Sequence, residues 1–154
     1  EEFSDWAEKA KLVQERLLEL VDADTRAFNA IMLAFGLPKT SMEEQEHRKQ
    51  AIEEATLHAI EVPFEVMRTA FAGFEIAEAM TRTGNPNSVS DAGVGALALH
   101  ACIEGAWLNV RINASDLDTH EQVIDILREG ELLREKSAGM KDSILELVEQ
   151  KLDR

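Results

Sequence analysis

Residues 41–84 run SMEEQEHRKQAIEEATLHAIEVPFEVMRTAFAGFEIAEAMTRTG, and the period of their apolar residues decides the fold class. Ser41–Met–Glu–Glu44 has the spacing of a capping box, in which serine and glutamate side chains satisfy each other's backbone donors. Beyond it, small and apolar residues recur at Ala51, Ala55, Ala59, Val62, Val66, Ala70 and Ala77 before Gly84. Steps of three and four place such residues on one side of a helix. Pro63 falls within the pattern. A proline deep in a helix removes one hydrogen bond and crowds the preceding turn, so a kink near Ile60 or a break is expected.

Working outward, the segment from about Phe3 to Phe35 repeats the helical period through Trp6, Ala10, Val13, Leu17 and Leu20, then Phe28, Ile31 and Phe35. Gly36 and Pro38 stop it. On the other side, GNPNSVSDAGVGA (84–96) opens a third helix that runs to about Asp116, with Ser88, Ser90 and Asp91 as candidate N-caps. A fourth starts near Asp118–Thr–His–Glu121 and carries Val123, Leu127, Leu133, Ile144, Val148 and Leu152, with Gly130 and Gly139 weakening it enough to suggest two helices. With no Tyr, three Pro and few β-branched runs, strands have little to build from. The expected fold is all-α: one domain over residues 1–154, a bundle of four to five long helices joined by short turns.

Composition narrows the function classes. A net charge of −14 leaves no basic stripe for phosphates, which argues against nucleic acid. The apolar run from about Gly93 to Leu108 carries His100 and Glu104 and is expected to be too short to span a bilayer. A single cysteine, Cys102, excludes an internal disulfide and points to a reducing compartment, the cytoplasm. His47, His58, His100 and His120 have no metal-ligand spacing, and no metal site is expected.

Two features could carry chemistry. Asp24 lies on the seam between Leu20 and Phe28; a carboxylate there either drifts to the rim or serves a site. From Asp91, a stripe passes through Gly95, Ala98, Cys102, Gly105, Asn109 and Asn113, small between polar ends. Such a stripe either packs tightly against another helix or leaves a flat groove for a planar ligand. With Ser88 or Ser90 able to cap, Asp91 remains available in the first turn, where the helix dipole favours its ionised form.

These residues resemble a known family. Val21–Asp–Ala–Asp–Thr–Arg–Ala–Phe–Asn29, Leu37–Pro–Lys39, Val62–Pro–Phe64, Asn85 with Ser90–Asp91, and Asn109–Val–Arg–Ile–Asn113 stand in the order and spacing found in the formiminotransferase-cyclodeaminase/cyclohydrolase family. The likeness implies an all-helical, homodimeric enzyme of one-carbon metabolism and histidine degradation. Its substrate would be a tetrahydrofolate derivative, with no permanently bound cofactor. The cyclodeaminase reaction converts 5-formiminotetrahydrofolate to 5,10-methenyltetrahydrofolate and ammonia; a sister branch hydrolyses methenyltetrahydrofolate. On that basis Asp91 is the candidate catalytic group, pairing with the amidinium and moving the proton. Asp24 would anchor the pterin, Asn109 and Asn113 would orient amides, and Lys39 or Arg82 would meet the folate carboxylates. Family members open with a glycine-rich segment ahead of the equivalent of Phe3; nothing here matches it, so an N-terminally incomplete domain is expected. The rival expectation is a non-catalytic helical module with Asp24 on its rim and the small stripe as its seam.

Overall fold

A computed structural model describes residues 2–153. It contains four long helices: α1 (Glu2–Phe35), α2 (Met42–Thr83), α3 (Val89–Ala114) and α4 (Glu121–Leu152), with a 3₁₀ turn at Pro86–Ser88 leading into α3. No strand occurs among the described residues. The all-α bundle is as the sequence predicts.

The capping box forms as expected. Glu44 N donates to Ser41 Oγ at 3.1 Å, and Glu44 Oε2 accepts from Ser41 N at 2.9 Å and Thr40 N at 2.8 Å. Those backbone donors hold the Glu44 carboxyl below its ordinary range. Pro63 does not break α2, which runs as one helix from end to end. Gly130 and Gly139 likewise leave α4 a single helix, one rather than the two suggested.

α2 is the central element and packs against each of the other three; α3 also packs against α4. Its Ile60, Phe64, Met67 and Phe74 join Ile103, Trp107, Val110, Val123 and Ile144 in the main core. Its Ala59 and Val62 face α1, where they meet Leu20 and Ala27. Two-sided burial explains why α2 carries more than one apolar stripe.

α1 departs from the expected seam. Leu20 is buried, but beyond it the core takes Ala23, Ala27, Ile31 and Ala34, while Phe28 and Phe35 are exposed. The alanines occupy the side facing α2, where small residues let two backbones approach closely. The larger aromatics fall on the next face round.

α3 with its lead-in turn, Pro86–Ala114, is the one helix among the described residues long and apolar enough to cross a membrane by length and composition. The expectation of too short an apolar run therefore understated it. Here the helix packs between α2 and α4 and leaves Val94, Leu97, Leu108 and Ile112 exposed.

Candidate functional site

Asp91 is the third residue of α3. Ser88 holds the cap position without a side-chain hydrogen bond, so the carboxylate is not consumed in capping. Asp91 is exposed and has no hydrogen-bond or ion-pair partner among the described residues. The stripe below it is not sealed by another helix. A Cβ at Gly95 or Gly105 would meet nothing within 4 Å, and Ala98, Gly105 and Asn109 are exposed. The groove alternative therefore keeps an open face, bordered by the exposed leucines and isoleucine of α3.

Asp24 is exposed, one step round α1 from the buried Leu20–Ala27 line. Lys39 is exposed in the α1–α2 turn. Arg82, near the end of α2, holds Glu78 Oε1 through Nε at 2.9 Å and Nη2 at 2.8 Å. Its carbonyl accepts from Lys151 Nζ. Asn109 is exposed, whereas Asn113 is half-buried and its Nδ2 donates to Ala59 O at 2.8 Å.

The short turns make successive helices antiparallel, so α1 and α3 run the same way. Ile31 and Phe35 share a groove with Ile112 and Asn113, which levels the two C-terminal ends. Asp24 then lies roughly 17 Å from that end and Asp91 roughly 35 Å from it, at about 1.5 Å per residue. Asn109, Asn113 and Lys39 gather toward one end of the bundle with Asp24 nearer the middle, while Asp91 and Arg82 occupy the other. Within one chain the six do not close on a single small ligand.

A larger concavity lies elsewhere. A cleft of about 1010 Å³ opens between α1, α2 and the start of α4, at the upper end of the size of small-molecule sites. On its wall Arg68 stacks 4.4 Å from the centre of the Phe64 ring and forks onto Glu129 at 2.9 and 2.7 Å. That carboxylate raises the guanidinium pKa still further. His58 Nδ1 stands 3.6 Å from Glu61 Oε2, and Gln122 Nε2 donates to Glu61 Oε1. His120 also lines the cleft; its Nδ1 is buried and has no partner among the described residues. Arg26 adds a cation without an ion-pair partner among the described residues. Spacing could not have found this set, because residues 58 and 120 meet only through the packing of α4 against α2. No group of three or more His, Cys, Asp or Glu that could hold a metal ion occurs among the described residues.

A four-helix core with carboxylates and amides at its surface, and a cleft lined by arginines, histidines and a larger number of carboxylates, offers a helical frame with room for a small molecule but does not specify one reaction. Comparison with known proteins is more specific. The family model described as formiminotransferase-cyclodeaminase matches residues 1–131, and the chain belongs to that family. A methenyltetrahydrofolate cyclohydrolase of Methylorubrum extorquens is 35% identical over 146 residues, covering 95% of this chain and 70% of that protein. A mouse formimidoyltransferase-cyclodeaminase is 35% identical over 74% of this chain, which spans 22% of the mouse protein. The crystal structure of formiminotetrahydrofolate cyclodeaminase from Thermotoga maritima superposes with a TM-score of 0.68 at 27% identity, covering 88% of this chain and 65% of that one.

Proposed function

We propose that this chain is a folate-dependent cyclodeaminase, converting 5-formiminotetrahydrofolate to 5,10-methenyltetrahydrofolate and ammonia. The observation that carries this reading is the family match over residues 1–131, which encloses Asp24, Lys39, Arg82, Asp91, Asn109 and Asn113. In the reaction, N10 attacks the formimino carbon and the carbon–imino nitrogen bond breaks. The nitrogen leaves as ammonia with the N10 proton and one more from the medium. A carboxylate beside the amidine stabilises its cation and can pass the proton. Asp91, without a partner among the described residues, is the group proposed for this, with Asp24 on the pterin edge, Asn109 on an amide, and Lys39 or Arg82 on the folate carboxylates. Because Asp24 and Asp91 stand apart in one chain, the reading includes a homodimer, supported by the apolar faces α1 and α3 leave open. The substrate is the only folate required, with no resident cofactor.

A second reading, methenyltetrahydrofolate cyclohydrolase, is favoured by the name of the relative that matches 95% of this chain. The two separate in one assay. Given 5-formiminotetrahydrofolate, a cyclodeaminase releases ammonia while methenyl absorbance grows; a cyclohydrolase instead consumes added methenyltetrahydrofolate. Neither turnover nor thermal stabilisation by a folate would leave the non-catalytic module. Asp91→Asn is expected to slow ammonia release roughly 10²–10⁴-fold, and a loss of less than about tenfold would take Asp91 out of the mechanism.

A further inference from the structure

We infer that Asn113 is a positioning residue, whose side-chain amide supplies the donor that Pro63 withholds from α2 and so fixes α3 against the turn of α2 that walls the cleft. Proline has no N–H, and the carbonyl left without its helical partner is the one four residues earlier. That carbonyl belongs to Ala59, which is only 4% exposed, so water has little access to it. Asn113 Nδ2, from the last turn of α3, reaches Ala59 O at 2.8 Å. A buried carbonyl is rarely left unpaired, and this bond closes the gap.

The bond joins residues 54 apart in sequence. On the α2 side it acts on the turn that sends His58, Glu61, Val62 and Phe64 into the cleft. Val62–Pro–Phe64 and Asn109–Val–Arg–Ile–Asn113, two separate pieces of sequence, thereby become parts of one device. Proline removes a donor and asparagine replaces it. As a folate ligand, Asn113 has only Oδ1 to offer while this bond stands. The inference rests on the hydrogen bond alone and holds under either reading of the reaction.

Thermal unfolding of the purified protein and three variants, Asn113→Ala, Pro63→Ala and the double variant, tests it. With Pro63 present, Asn113→Ala is expected to lower Tm by roughly 2–10 °C, the consequence of a buried carbonyl left unpaired. In the Pro63→Ala background the introduced alanine's own N–H can serve Ala59 O, and the same change is expected to cost less than half as much. An equal fall in both backgrounds would overturn the inference. Asn113→Asp supplies an independent signature. Its protonated carboxyl can donate to Ala59 O and its ionised form cannot, so its folded-state pKa is raised. The variant should approach the parent at low pH and fall behind it as pH rises through that pKa, and this trend should vanish in the Pro63→Ala background. Lys49, Glu53 and Asp116 line the same groove and are present in both backgrounds, so the comparison is made between the two. A deficit independent of pH would also count against the inference.

Discussion

Gly130 and Gly139 lie on the same helix and put the missing side chain to opposite uses. A Cβ at Gly130 would stand 2.5 Å from Trp107 Cζ3 and 2.9 Å from Cε3, and the indole is itself only 5% exposed. Arg134 lies 5.8 Å from the centre of that ring and forks onto Glu104, so the ring has little room to retreat. Gly130→Ala is therefore expected to destabilise by about 1–3 kcal/mol through overpacking. A Cβ at Gly139 would meet nothing within 4 Å, and Gly139→Ala should stabilise by up to about 1 kcal/mol through helix propensity. Urea unfolding of the pair checks both; equal effects would mean that Trp107 does not set the requirement. The sequence marked both glycines only as weak points of a helix, because nothing local distinguishes a glycine beneath an indole from one facing solvent. Asp91 shows the reverse case. Its freedom from capping was legible from the serines beside it, and the structure leaves its carboxylate unpartnered among the described residues.

At the scale of the element, local signals were dependable where the physics was local. The cap of α2 was legible in four residues, since its donors and acceptors all lie within one turn. It also carries a pH dependence with a definite sign. Backbone donors hold the Glu44 pKa below 4.5, so the bond is fully present above that value and is lost as pH falls through the lowered pKa. The amide protons of Thr40 and Ser41 should titrate in NMR with a midpoint below 4.5, and Glu44→Ala should abolish the titration. A midpoint at or above 4.5 would mean that the carboxylate does not hold those donors in solution. The seam of α1 was less legible. Hydrophobic size drew the expected line through Phe28 and Phe35, whereas the contact with Ala59 and Val62 selects the alanines. The turn around Pro63 shows the same limit, for the donor that repairs it comes from another helix.

Across the whole molecule, the candidate residues spread toward both ends of the bundle. Asp91 and Arg82 lie toward one end, and Lys39, Asn109 and Asn113 toward the other. His58 and His120, set aside for their spacing, share the cleft. Along one flank, Val94 at 63%, Leu108 at 64% and Ile112 at 71% exposure give α3 an apolar outer face. On the proposed reading, this is the face where two copies would meet. Ile112→Glu is expected to leave the melting temperature within a few degrees, since the side chain is exposed, and to convert dimer to monomer in light scattering. A variant that stays dimeric would place the interface off this face of α3, and a parent that is monomeric would remove the homodimer from the proposal.

By itself, the sequence determined the all-helical class, the order of the helices, the cap of α2 and the family, because these follow from period, capping chemistry and the order of short motifs along one chain. It did not determine that α4 is one helix. Only the tertiary structure decided which face of α1 is core, that α3's small stripe lies open, that two distant histidines line one cleft, and that Asn113 serves a carbonyl of α2. Each of these depends on which surfaces of separate helices meet, and a helical period specifies a face without naming its neighbour.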